Sequence, residues 1–384
     1  MTVLSQCLYV FTCVGLWRPL EWDGLKARLY DLYTIFVLFS NYSFFIFGLM
    51  DVDYKNIDFL GSIDLISLLL QFIENTPKIS CLLGNRCSVL RIINNFNCDP
   101  FDAKNNDEKI IQQKYDKFNR QLNLWFPIFG FISITWYTIS HILLMESPTL
   151  LPYRGRIPYN YSNYHKIYLL TAMEQIYSVL SLASINAAFN TLFPTIMFQI
   201  CAKLNILKYR FKMMIKQLEN TEDNELSEKI CNRTQKQLIA NWVESHVKLL
   251  NLFNCVNTLF TSAIFIHYIV NSILLCTIAY ILSHSPFGDI AFVSNVFFFV
   301  VKCSQQFLQC ASAHQVTIEF ENLRKVIFDT KWYTTKKAVQ KSMIIIMSQS
   351  IIPVEFVSGY FVTLSLDSFK KIIKLSYTIY NVLE

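Results

Sequence analysis

Lys370, Lys371 and Lys374 stand in an otherwise apolar stretch near the end of the 384-residue chain. An ionisable side chain inside a membrane span is expensive and marks an ion or water path by default. At about 100° per residue the three cannot all point one way. They either snorkel toward water or face a wet vestibule at that depth. A lining of lysines would disfavour cations, which argues against a pore made of this chain alone; a partner subunit lacking them would relieve it. On the same stretch Phe369, Ile373, Ser376 and Tyr380 recur at helical spacing and share one face. A narrow ring of such residues from several subunits closes by dewetting. Lys302 is another cation in an apolar run. It needs an internal partner, for which Glu174 and Asp64 are the candidates.

Signatures of enzymatic chemistry are absent. The chain has no Walker-type phosphate loop, no H-E-x-x-H, no glycine-rich dinucleotide turn and no G-x-S-x-G. No catalytic residue and no cofactor are therefore expected. The eleven cysteines include no C-x-x-C pair, so they read as small packing residues and not as metal ligands. His141 and His267 fall in apolar runs, where packing or hydrogen bonding within a bundle is favoured over metal ligation. Marks of G-protein coupling are missing too: no Asp-Arg-Tyr ends the third span, and no Asn-Pro-x-x-Tyr lies in the last.

The elements that must position these residues are membrane helices. Hydrophobic residues make up 53% of the chain and charged ones 16%, against about 25% charged in an average globular chain. Several apolar runs exceed about 18 residues, which predicts an all-α polytopic membrane protein. Seven spans are expected: Tyr33–Met50, Ile57–Thr76, Leu124–Met145, Ile167–Ile200, Asn251–Leu282, Ile290–Cys310 and a tail helix from Val354. The second is the weakest, carrying Asp58, Asp64 and Glu74. The fourth and fifth exceed the hydrocarbon thickness and must tilt or project into the cytosol. Pro353 cannot continue a helix from Ser342. A short helix, a break and then one long helix of about 46 Å are expected. The organisation is thus an N-terminal cytoplasmic or interfacial segment over 1–32, spans one to four over 33–201 and a cytosolic helical segment over 202–249. Spans five and six follow over 250–310, a second cytosolic segment over 311–353, and span seven over 354–384. Residues 1–16 lack a cationic leading region, so no cleaved signal peptide is expected. They read as an interfacial segment with Trp17 at headgroup depth.

Basic residues set the direction. The first 30 residues and segments 77–123, 202–249 and 311–341 hold 26 of the 34 Lys and Arg, while segments 51–56, 147–166 and 283–289 hold 4. The positive-inside rule makes the first set cytoplasmic. The N-terminus is then inside and seven spans put the C-terminus outside, the inverse of a G-protein-coupled receptor. A hairpin of two short spans over Met343–Glu384 would return the C-terminus inside, in a stretch barely long enough for two crossings. The net charge of +6 reads as orientation in a lipid membrane, not as nucleic-acid binding. Asn160-Tyr161-Ser162 is the acceptor sequon in a predicted outer loop and makes Asn160 a glycosylation candidate. No cysteine falls in those outer loops, in keeping with reduced thiols. Within 202–249, Leu204, Leu207, Phe211, Met214, Ile215 and Leu218 form an apolar stripe. The pattern resumes through Ile230, Leu238, Trp242 and Val247. Such a stripe needs cover, from the membrane surface or from a neighbouring subunit.

The tail resembles that of insect odorant receptors. The matching residues are Asp329 with Trp332-Tyr333, then Ser350, Pro353 and Gly359, then Leu364-Ser365-Leu366, Phe369 and Ser376-Tyr377-Thr378. Gly15-Leu16-Trp17 followed by Pro19 is a second match, and the spacing of hydrophobic spans fits over the whole chain. The resemblance implies a short amphipathic helix before the first span. It also implies a ligand-tuning subunit of an odorant-gated cation channel, a heterotetramer with a shared co-receptor in the plasma membrane of sensory-neuron dendrites. Inner extensions of spans four, five and six, with a re-entrant helix at Lys336–Ser350, would form its anchor. The gate would lie near the outer end of the pore-lining tail helix, which carries over to Tyr380. A pocket in the outer halves of spans two, three, four and six would bind a small volatile apolar odorant. On this chain those halves hold Trp136, Tyr137, Ser140 and His141; Met173, Glu174 and Tyr177; and Phe292, Asn295, Phe298 and Phe299. The lining is aromatic with a few hydrogen-bonding groups, as such a ligand requires.

Two other readings stay open at this point. A gustatory receptor would end in Thr-Tyr, five apolar residues and Gln-Phe, whereas Ser376-Tyr377 here runs to Glu384 without them. A small-molecule transporter would show an internal repeat with paired broken helices; one break, at Pro353, is visible.

Overall fold

The computed structural model describes residues 3–51, 59–143, 151–161, 164–222, 228–330, 332–335, 337–349, 351–359 and 361–383. Ten α-helices run through them: α1 (Val3–Cys13), α2 (Leu25–Met50), α3 (Phe59–Gly84), α4 (Arg86–Asn95), α5 (Asn106–Leu143), α6 (His165–Glu222), α7 (Glu228–His284), α8 (Ile290–Asp329), α9 (Lys337–Gln349) and α10 (Leu366–Leu383). A two-residue hairpin, β1 (Val357–Ser358) against β2 (Val362–Thr363), precedes α10. Five of the helices, α2, α5, α6, α7 and α8, are long and apolar enough to cross a membrane. Leu29, Leu32, Phe36 and Phe39 on α2, and Phe131 and Ile132 on α5, remain exposed, as side chains facing lipid do. The chain is an all-α polytopic membrane protein, and α3 and α10 occupy the places of the second and seventh predicted spans.

α6 is the central helix. Its 58 residues span about 87 Å, far more than the hydrocarbon thickness. Phe189 and Phe193 of α6 pack on Phe260 of α7 at 5.6 and 5.8 Å. Phe356, ahead of the hairpin, meets Phe193 edge-on at 5.0 Å. Pro194 lies inside α6 and Pro127 inside α5, which neighbouring helices allow in a membrane bundle.

Two expectations are corrected here. The stripe on 202–249 needs neither lipid nor a second subunit. Leu204, Leu207, Phe211, Met214, Ile215 and Leu218 are all buried within the chain, because α7 folds back antiparallel along α6. Trp242 stacks edge-on against Phe211 at 4.9 Å, and its indole N–H donates to the Leu207 carbonyl at 3.1 Å. The N-terminal segment forms a short helix before α2 and packs on the bundle. α1 tucks against α6, with Leu4, Cys7 and Phe11 buried. Trp17 is 4% exposed, beneath the Arg86 guanidinium at 5.3 Å.

The tail differs most from expectation. The helix expected from Val354 starts only at Leu366. Gly359 sits at φ 58°, a left-handed conformation that breaks a helix and favours glycine. A Cβ there would collide with the Phe265 ring. Thr261 of α7 holds the turn, accepting from the Gly359 N–H at 3.1 Å and donating to the Val357 carbonyl at 3.2 Å. Ser365 then caps α10, its hydroxyl oxygen accepting the Ser368 N–H at 3.1 Å. The 18 residues of α10 give about 27 Å of helix, close to one hydrocarbon thickness.

Candidate functional site

The C-terminal part of α5 and the facing parts of α6 and α8 bring aromatic rings together. Tyr137 of α5 is buried between His141, at 4.6 Å between ring centroids, and Phe298 of α8, at 5.7 Å. Phe44 of α2, Leu68 of α3, Ile134 of α5 and Val179 of α6 complete the cluster. Its polar groups are few. The Ser140 hydroxyl donates to Ser294 Oγ at 3.1 Å, and Asn295 is 9% exposed. Tyr153, from the segment after α5, reaches into the same cluster. Its ring lies 5.4 Å from His141 and 6.0 Å from Phe44.

Directly beneath lies a buried ion network. Glu74 of α3 is fully buried and receives four groups. These are the Lys78 ammonium at 2.6 Å, the Lys302 ammonium at 3.0 Å, His267 Nδ1 at 2.7 Å and the Asn186 amide at 2.9 Å. Lys78 also donates to Asn186 Oδ1 at 2.9 Å and Asn190 Oδ1 at 3.2 Å. Gln309 donates to Asn190 at 2.8 Å, and Asn271 to Gln306 at 3.0 Å. The network ties α3, α6, α7 and α8 together, two ammonium groups on one carboxylate. His267 Nε2 has no hydrogen-bond partner among the described residues. The aromatic cluster and the network touch, because the Lys302 ammonium lies over the Phe298 ring at 5.7 Å.

The predicted residues divide into groups. Tyr137, His141, Asn295 and Phe298 are brought together. Phe292 and Phe299 instead line a cavity of about 450 Å³ between α7, α8 and α10. Trp136 and Met173 face outward, 41% and 62% exposed. Tyr177 packs on Phe36 of α2 at 5.7 Å, and its hydroxyl donates to Tyr33 at 3.4 Å. On α10, Phe369 meets Phe307 of α8 at 5.5 Å. Ile373 and Ser376 join the lining of that 450 Å³ cavity, and the Cys276 thiol donates to Ser376 at 3.3 Å. This face therefore rests on α7 and α8 of its own chain, while Lys370, Lys371, Lys374 and Tyr377 are exposed. The Tyr380 side chain lies outside the described residues. Asn160 is exposed, and Ser162 of its sequon lies outside the described residues.

Lys302 pairs with Glu74, not with Glu174. Glu174 instead accepts from Ser43 at 2.8 Å, and the Asp64 side chain lies outside the described residues. Lys78, expected in a cytosolic loop, is fully buried because α3 continues to Gly84. A signal for both was present. Glu74 and Lys78 stand at i and i+4 in an apolar run, as do Asn186 and Asn190, so each pair shares a helix face. Tyr153 and its partner Gln175 left no such signal.

A family model for the seven-transmembrane odorant receptors matches residues 59–377. The chain belongs to the odorant receptor family; it is a receptor and not an enzyme. Odorant receptor 19a of Drosophila melanogaster is 21% identical over 245 residues, which is 64% of this chain and 60% of that receptor's length. Odorant receptor Or1 of Anopheles gambiae is 21% identical over an alignment that covers 97% of this chain and 92% of that one. The insect olfactory receptor OR5 of Machilis hrabei has the same fold, with a TM-score of 0.83 at 15% identity, covering 99% of this chain and 97% of that one. It has also been solved in complex with eugenol.

Proposed function

We propose that the chain is the ligand-binding subunit of an odorant-gated, non-selective cation channel, working with a co-receptor subunit in the plasma membrane of a sensory neuron. The cytoplasmic N-terminus and outer C-terminus follow from the distribution of basic residues. Asn160, in the outer loop, is the glycosylation site. The ligand is a small volatile apolar molecule, bound among Tyr137, His141, Asn295 and Phe298.

One observation carries the mechanism: α8 touches every part of it. Phe298 meets Tyr137 in the pocket, Lys302 meets Glu74 in the network, and Phe307 meets Phe369 on α10. A ligand that binds the open arrangement better than the closed one shifts the population by that difference in affinity. The shift passes along one rigid helix to the tail. In this scheme α10 lines the pore with its gate at Tyr380, and Phe369, Ile373 and Ser376 form the seam that holds α10 to α7 and α8. The lysines on the exposed face of α10 disfavour cations, which the co-receptor subunits relieve.

The test is whole-cell current during odorant puffs, in cells carrying this chain with and without the co-receptor. A fast inward cation current that needs both chains and survives G-protein block is expected. With surface expression confirmed, a response abolished by G-protein block refutes the channel assignment.

A further inference from the structure

Tyr153 is the largest fully buried side chain among the described residues, yet it comes from a loop. The rest of the cluster around it comes from helices α2, α3, α5 and α6. The loop is pinned on several sides. The Gln175 amide clamps the Tyr153 backbone, accepting its N–H at 3.2 Å and donating to its carbonyl at 3.1 Å. The Arg156 N–H donates to the Phe47 carbonyl at 2.9 Å, and the Tyr159 and Thr171 hydroxyls pair at 2.9 Å. Among the described residues the phenol itself meets one polar group, Thr138 Oγ, at 2.9 Å. Thr138 donates its own hydroxyl proton to the Ile134 carbonyl at 2.9 Å. Thr138 Oγ is then the acceptor, and the Tyr153 hydroxyl is the donor.

The slot is therefore complementary to a flat ring that carries one hydrogen-bond donor. Resting on the odorant-pocket reading above, we infer that Tyr153 is a tethered occupant of the ligand site. The receptor's ligand class is then a compact phenol or aromatic alcohol, which displaces the Tyr153 ring and takes over its hydrogen bond to Thr138. Aromatic hydrocarbons and ethers have the ring without the donor and bind less well. A tethered occupant lowers apparent affinity by the fraction of time the slot is filled.

The test compares currents evoked by p-cresol, which is the tyrosine side chain itself, with those evoked by toluene and 4-methylanisole, in cells also carrying the co-receptor. Tyr153→Ala lowers the half-maximal p-cresol concentration about tenfold or more. Tyr153→Phe keeps the ring but loses the hydrogen bond, and lowers that concentration about fivefold. Adding Thr138→Val to either variant removes the preference for p-cresol over the two probes without a donor. Any large-to-small cavity can take up a ring, so gating and the Thr138 dependence are the decisive readouts. Unchanged or weaker p-cresol responses in both Tyr153 variants, or a preference that survives Thr138→Val, overturn the inference while odorant-evoked current leaves the receptor reading standing. If no variant conducts to any odorant, the channel reading falls. Equilibrium p-cresol binding to the purified full chain in nanodiscs then decides the slot. A gain in both Tyr153 variants that depends on Thr138 supports it, and no gain overturns it.

Discussion

Replacing Glu74 with glutamine takes the anion out of a cluster that holds two cations. Lys78 and Lys302 are 0% and 2% exposed at the side chain, and their carboxylate partner is Glu74. Breaking a buried pair by removing one partner costs about 3–5 kcal/mol, because an uncompensated charge stays behind. Glu74→Gln leaves two such charges, so the upper end of that range applies. The melting midpoint of the purified chain should fall by on the order of 10 °C. Lys302→Met acts in the opposite sense. It removes the surplus cation and leaves Glu74 with Lys78, Asn186 and His267, so its cost stays below about 1 kcal/mol. The double variant Glu74→Gln/Lys302→Met retains one orphaned ammonium instead of two, and should be more stable than Glu74→Gln alone. That non-additivity is the signature of direct coupling. Thermal unfolding in one detergent, followed by tryptophan fluorescence or by size exclusion after heating, measures all three. If Lys302→Met costs as much as Glu74→Gln, or if the double variant is the least stable, the charge accounting is wrong.

Two further predictions concern the tail and the start of α5. Gly359→Ala places a methyl group at φ 58° against the Phe265 ring, a strain of about 1–3 kcal/mol or more. Surface delivery should drop, and Phe265→Ala should recover part of it by clearing the ring; no recovery would mean that backbone strain alone sets the loss. Burial works against ionisation of Glu108, but Arg210 and the backbone N–H groups of Lys104 and Asn105 overcome it and hold the carboxyl below its ordinary value. A carboxyl lowered on folding stabilises above its unfolded value, near about 4.3, and loses that contribution as pH falls through the folded value. Glu108→Gln should therefore flatten the acidic limb of a stability-versus-pH curve, and an unchanged limb would show that the Glu108–Arg210 pair is not what titrates.

The spans were legible because lipid demands long apolar runs. Boundaries and partners were less so. The start of α10 depends on Gly359 meeting Phe265, whose ring lies far away in sequence. The partner of Lys302 was misassigned because Glu74, 228 residues away, stands in the span that read weakest. The stripe on α6 showed its need for cover, but periodicity states only that cover is required, and α7 of the same chain supplies it. Tyr137, His141, Asn295 and Phe298 are brought together, whereas Trp136, Met173 and Tyr177 lie on other faces. Helical phase could have separated them only with the crossing angles known. Tyr153 was invisible because loop residues carry no period.

The pairing of Glu74 with Lys78, four residues apart on one helix, bears on how the receptor is made. α3 emerges from the ribosome long before α8 exists, and a lone carboxylate would make its entry into lipid costly. With Lys78 one turn away the helix can enter already self-neutralised, needing no later partner to cross. Lys302 arrives carrying a charge with no mate on its own helix. Its charge is compensated only once α3 is in place. A co-translational block between α3 and α8 would leave the early half of the bundle stable in the bilayer. The late half, translated alone, would be left with an ammonium group it cannot bury.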